Sequence, residues 1–131
     1  MKKLTAAWVR KAESDLRSAV RLAGMHPPAH DEVCFHCQQA VEKYLKAMLQ
    51  ELGTPPPRTH ELDDLLTLLL PYDTTFRRIR RGLNQLTDYA VDYRYPGEHA
   101  TGRKAKAAIR KAKEVRQEIR ARLGLPPRPL Q

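Results

Sequence analysis

The sequence predicts an all-α fold, an up-and-down four-helix bundle with one additional short helix, five helices in total. Three observations carry that prediction. Apolar residues recur at steps of three and four along nearly the whole chain, and no segment sustains the alternation a half-buried strand needs. Gly and Pro gather at intervals that leave helix-length stretches between them. At 131 residues the chain can bury one substantial core but not two. The expected unit is a single helical domain over residues 1–125, followed by a flexible tail at 126–131.

Trp8, Ala12, Leu16, Ala19 and Ala23 form one apolar stripe, which predicts a first helix over residues 4–24 that Gly24 and Pro27-Pro28 terminate. Asp31 is the expected cap of a second helix. Val33, Cys37, Ala40, Val41, Tyr44 and Met48 make its buried face, and Gly53-Thr54-Pro55-Pro56-Pro57 stops it and acts as a stiff spacer. A short third helix has Thr59 or His60 as its expected cap and Leu62, Leu65, Leu66 and Leu69 facing inward, and Pro71 ends it. The acids of its first turn, Glu61, Asp63 and Asp64, complement the helix dipole.

The fourth helix carries Phe76, Ile79, Leu83, Leu86, Ala90 and Tyr93 along one seam, with Arg77, Arg78, Arg80 and Arg81 off it. The fifth repeats the pattern with Ala105, Ala108, Ala112, Val115, Ile119 and Leu123, and Gly124 with Pro126-Pro127 closes it. Trp8 and Phe76 read as core anchors.

Formal net charge is +9, and the excess lies mostly in the last third, where nine Lys and Arg residues between Arg103 and Arg122 face only Glu114 and Glu118. Such a balance suits a polyanionic partner, and equally a solvated helix face. No apolar run approaches the ~20 residues a membrane span requires, and the first residues lead into an amphipathic pattern, so a cytoplasmic protein without a membrane partner is expected. Cys34 and Cys37, the only cysteines, allow no disulfide framework, and a structural zinc would need two further ligands, for which the nearby candidates are His26 and His30 on a loop with no recognised spacing. Cys37 falls on the apolar face, and no metal or cofactor is expected.

The densest chemistry lies in Tyr93-Arg94-Tyr95-Pro96-Gly97-Glu98-His99. Pro96 and Gly97 break the chain between helices four and five, so Arg94 and His99 can converge on one spot. Arg binds phosphate oxygens through a rigid fork, and His moves protons near neutral pH. Thr101 is placed to cap helix five, whose free N–H groups would favour a phosphate at the same place. On helix two, His36, Gln39, Lys43 and Gln50 form a polar stripe opposite the apolar one; the plain reading is an exposed helix face with Glu42 and Lys46 as an i,i+4 pair.

Three segments in order resemble the HEPN family, the higher eukaryotes and prokaryotes nucleotide-binding domain. They are His36-Cys37-Gln38-Gln39-Ala40-Val41-Glu42-Lys43-Tyr44-Leu45-Lys46-Ala47, then His60-Glu61-Leu62-Asp63-Asp64-Leu65, then Tyr93-Arg94-Tyr95-Pro96. The resemblance implies a dimerising helical bundle, often encoded beside a minimal nucleotidyltransferase, with many relatives acting as metal-independent endoribonucleases of toxin-antitoxin systems. Those nucleases share an Arg, four to six residues, then a His, and Arg94 and His99 fit with four between them. It implies catalytic roles for Arg94 and His99 in a cleft at the homodimer interface, with Tyr95, His36, Gln39 and Lys43 assisting phosphate or nucleotide binding. The expected partner is RNA or a nucleotide; the alternative is a non-catalytic nucleotide-binding or interaction module beside a nucleotidyltransferase. Two departures stand out. Tyr95 occupies the position where nuclease members usually carry Asn, Asp or His, and Thr101 stands where some toxins have an adenylylated Tyr.

Overall fold

Helix two organises the molecule because it is buried on most of its circumference. The computed structural model describes residues 1–92 and 95–130. Among these residues the elements are α1 (Lys3–Ala23), α2 (His30–Glu51), α3 (Leu62–Leu69), a 3-10 turn (Thr74–Ile79), α4 (Arg80–Asp92) and α5 (Gly102–Arg122), with no strand. The fold class is the all-α one that the periodicity implies. α2 packs against α1, α3, α4 and α5, and α1 and α4 each also touch α5.

Hydrogen bonds fix the helix directions. The start of α1 meets the end of α2 where Lys2 N and Thr5 Oγ1 both donate to Glu51 Oε1 at 2.9 Å. Midway, Tyr44 Oη donates to Glu13 Oε2 at 2.7 Å, so α1 and α2 run antiparallel. α5 begins beside the start of α2, where Ala100 N reaches Asp31, and its later turns reach Glu13 through Arg116 and Arg120; it therefore runs parallel to α2.

The core follows the predicted stripes. Ala12, Leu16 and Ala19 of α1 meet Val33, Cys37, Ala40, Val41 and Tyr44 of α2, all fully buried. α3 has eight residues, too few to hold a helix in water by propensity. Its four leucines, Leu62, Leu65, Leu66 and Leu69, are at most 1% exposed, and each such burial contributes about 1.5–3 kcal/mol. Packing therefore forms this helix.

Five local expectations change. Asp31 does not cap α2, whose N-cap is Ala29; Asp31 lies in the first turn and its side chain turns to the segment before α5. α3 starts after Glu61 without a side-chain cap: Thr59 Oγ1 accepts from Glu61 N at 3.2 Å, and His60 turns to Glu42. Phe76 and Ile79 belong to the 3-10 turn, not to the fourth α-helix, because Asp73 draws in Thr75 N and Thr75 Oγ1 at 2.9 and 2.6 Å.

Glu42 and Lys46 are an i,i+4 pair at 3.0 Å, yet both are buried, not part of an exposed face. Trp8 is half-buried over the Lys46 ammonium, 5.6 Å from ring centroid to Nζ, so it covers an ion pair instead of anchoring the apolar core. Beyond α5, Gly124 takes the left-handed φ of +73° that a helix-ending glycine permits. Residues 126–130 lie back on the bundle: Arg120 Nη2 donates to Pro126 O at 2.9 Å, and Leu130 is partly buried against the core.

Candidate active site at the corner between α4 and α5

A tight turn sets the corner. Glu98 N donates to Tyr95 O at 3.1 Å, with Pro96 and Gly97 between them. Gly97 has φ +86°, and proline followed by a glycine in that region is the residue choice of a type II turn. The chain leaves the turn directly into His99, Ala100 and the start of α5. Thr101 caps that helix as expected, its Oγ1 accepting from Lys104 N at 3.1 Å.

Asp31 of α2 holds this segment with both oxygens. Oδ1 accepts from Ala100 N at 2.6 Å, and Oδ2 lies 3.4 Å from His99 Nδ1. The His99 side chain is 77% exposed, against 22% for Asp31. With Nδ1–H donating to the carboxylate, Nε2 carries the free lone pair and faces solvent. This is how an imidazole is kept in one tautomer while its other nitrogen stays open to a substrate. His30 backs the same corner: a Cβ on Gly102 would stand 3.3 Å from His30 Cε1, so glycine there allows the close approach.

A positive field surrounds the corner. The first turn of α5 carries no acid. From there Arg103, Lys106, Arg110 and Lys113 run along the helix as an exposed stripe, none of them ion-paired among the described residues. At 1.5 Å per residue the stripe extends about 15 Å, a track suited to phosphates.

The other predicted site residues lie in different places. Arg94 falls outside the described residues. Tyr95 is 62% exposed at the start of the turn. His36 and Lys43 face α1, where Asp15 accepts from both: His36 Nδ1 lies 3.1 Å from Asp15 Oδ1, and Lys43 Nζ bonds Oδ2. Gln39 is half-buried on the same side of α2. Among the described residues no hydrogen bond or ion pair joins His36, Gln39 or Lys43 to His99.

Local pattern did not reveal Asp31 as the partner of His99. The only signal was an acid at the start of α2, which has the same appearance as a cap. Cys34 and Cys37 are fully buried and not joined in a disulfide, and burial pushes the Cys37 thiol well above its ordinary value. No group of three or more His, Cys, Asp or Glu among the described residues could hold a metal ion. No helix among them is long and apolar enough to cross a membrane.

Comparison with known proteins gives a consistent picture. Residues 5–122 match the family model described as the HEPN domain. A crystal structure described as that of an archaeal HEPN homologue aligns over 94% of this chain and 99% of its own, at 28% identity and a TM-score of 0.69. Comparison with curated proteins gives no match.

Proposed function

The chain belongs to the HEPN domain family, and from that premise we propose that it is a metal-independent endoribonuclease of the toxin-antitoxin type that cuts RNA at the α4–α5 corner. The observation that supports this reading is the exposed imidazole of His99 beside Asp31, at the start of a capped and strongly basic helix. In the proposed step, His99 Nε2 takes the proton of a ribose 2′-hydroxyl, and the 2′-oxygen attacks the adjacent phosphorus. The bond from phosphorus to the 5′-oxygen breaks, and the imidazolium returns the proton to that oxygen. The products are a 2′,3′-cyclic phosphate and a 5′-hydroxyl. Arg94, assigned from its spacing to His99 in the sequence, binds the phosphate and stabilises the charge growing on its oxygens.

The family's habit of dimerising supports a homodimer in which two such corners share a cleft, with a minimal nucleotidyltransferase as the antitoxin partner. RNA incubated with the protein in EDTA should be cleaved to cyclic-phosphate ends, DNA should survive for want of a 2′-hydroxyl, and His99→Ala should lower cutting by about 10²–10⁴-fold without loss of helicity. Intact RNA at high protein concentration would overturn the nuclease reading. It would favour a non-catalytic nucleotide-binding or interaction module instead, a reading to which the exposed Tyr95 directly after Arg94 lends weight.

A further inference from the structure

We propose that the recess where the C-terminal segment crosses α1 and α5 is a binding site for a small phosphorylated molecule with an apolar body, separate from the His99 corner. Two cavities of about 760 and 310 Å³ open there, with Arg116, Arg120 and Arg128 in the walls of both. The larger is within the usual range for small-molecule sites. Between Thr101 and Arg116 α5 rises about 22 Å, so the recess and the corner are distinct places on the molecule.

Charge selects an anion. The two cavities also draw on Arg10, Arg17 and Lys113, and the one acid in either lining is Glu13. That carboxylate is already committed. Its Oε2 accepts from Arg116 Nε and Tyr44 Oη, each at 2.7 Å, and its Oε1 accepts from Arg120 Nη1 at 2.9 Å. Among the described residues Arg10, Arg17, Lys113 and Arg128 have no carboxylate in ion-pair reach. Arg120 adds a second sign of an incomplete site: its side chain is only 10% exposed, and its Nε is buried with no hydrogen-bond partner among the described residues. An anion seated in the recess would supply the acceptors that Arg17 and Arg128, which line the same cavity, lack among the described residues.

The rest of the wall selects the body of the ligand. Ala121, Leu125, Pro127 and Leu130 present apolar surface beside these cations. Free phosphate would leave that surface wet, whereas a phosphorylated organic molecule covers it and meets the guanidiniums at once. An extended acidic peptide fits less well, because Pro129 and Leu130 of the chain itself line both cavities.

Calorimetric titration of the full chain in EDTA tests the assignment, with ATP, tripolyphosphate and adenosine as probes. ATP should bind once per chain, and tripolyphosphate and adenosine should each bind at least about tenfold more weakly, the scale of one lost charge-assisted contact or its apolar counterpart. Arg17→Glu and Arg128→Glu should each weaken ATP by about tenfold or more. His99→Ala should leave ATP binding unchanged, so failure of the nuclease reading and failure of this one are told apart. As a control for general attraction to a basic protein, Arg103→Glu with Lys106→Glu should change ATP affinity far less. No ATP binding at millimolar concentration would overturn the proposal. Equal loss from the Arg103 and Lys106 changes would also overturn it, as would ATP affinity unchanged in Arg17→Glu with Arg128→Glu when circular dichroism shows both folded.

Discussion

Asp31 and Glu13 are both carboxylates that tie the α5 region to another helix, yet their partners differ sharply in exposure. Asp31 holds an imidazole that is 77% exposed. Glu13 holds two guanidiniums that are 9% and 10% exposed, together with the buried Tyr44 hydroxyl. In solvent an ion pair contributes little to stability, because water competes for both charges. In the interior, losing one partner strands the other without water. The difference teaches that the Glu13 network is a device for holding helices together, while the Asp31 pair is free to serve chemistry.

Breaking the buried network should therefore cost far more stability than any change at the corner. Glu13→Ala leaves Arg116 and Arg120 charged and buried, and chemical denaturation should show a loss of about 3–5 kcal/mol. A loss under 1 kcal/mol would place the guanidiniums in effective contact with water. The pH dependence has a definite sign. Burial opposes ionisation of Glu13, but the Arg116 and Tyr44 hydrogen bonds and the two arginine charges outweigh it and hold the carboxyl below its ordinary value of 4.5. A depressed folded value means that the contribution is complete above 4.5 and is lost as pH falls through the folded value. The stability gap between the parent chain and Glu13→Gln should thus be flat from neutrality down to about 4.5 and close below it.

At the exposed corner the ranking inverts. His99→Ala should lower RNA cleavage by about 10²–10⁴-fold, the range for removal of a general base, with a stability change near zero. Asp31→Asn keeps an acceptor for Ala100 N but gives the imidazole a neutral neighbour. Its expected cost is up to about 10²-fold in cleavage, the scale of a misplaced catalytic group, carried in kcat with RNA affinity little changed. A fall in kcat with unchanged RNA affinity and an unchanged melting curve separates a positioning carboxylate from a merely structural one, since a folding defect would lower affinity and melting temperature together.

The same contrast explains what could be read in the chain beforehand. Helical periodicity placed Ala12, Leu16 and Ala19 and, on the last helix, Ala105, Ala108, Ala112, Val115 and Ile119 in the core, and all are buried. The corner was legible because its determinants are neighbours: Pro96, Gly97, His99 and Thr101 act within a few residues of one another. The polar partnerships were not legible, because they span the chain. Asp31 meets His99 across 68 positions and Glu13 meets Arg116 across 103. Local rules misassigned Asp31 and His60 as caps, although each is occupied by a distant partner. Likewise the pairing of Asp15 with both His36 and Lys43 depends on the docking of α1, which no spacing within α2 reveals.

Thr101 offers the smallest and sharpest test of the comparison, because it is an exposed residue whose contribution is local. Its hydroxyl satisfies Lys104 N at the start of α5, and Thr101→Ala should cost about 1 kcal/mol of stability, while Thr101→Ser keeps the capping oxygen and should leave stability unchanged or slightly raised. If the corner attracts phosphate partly through the open helix start, the alanine variant has a second effect of opposite sense. The freed N–H becomes available to an anion, so RNA affinity at low salt should hold or rise even as the melting temperature falls. A parallel fall in both quantities would mean that the helix start serves only to position His99, and that the basic stripe from Arg103 to Lys113 supplies the attraction for the nucleic acid by itself.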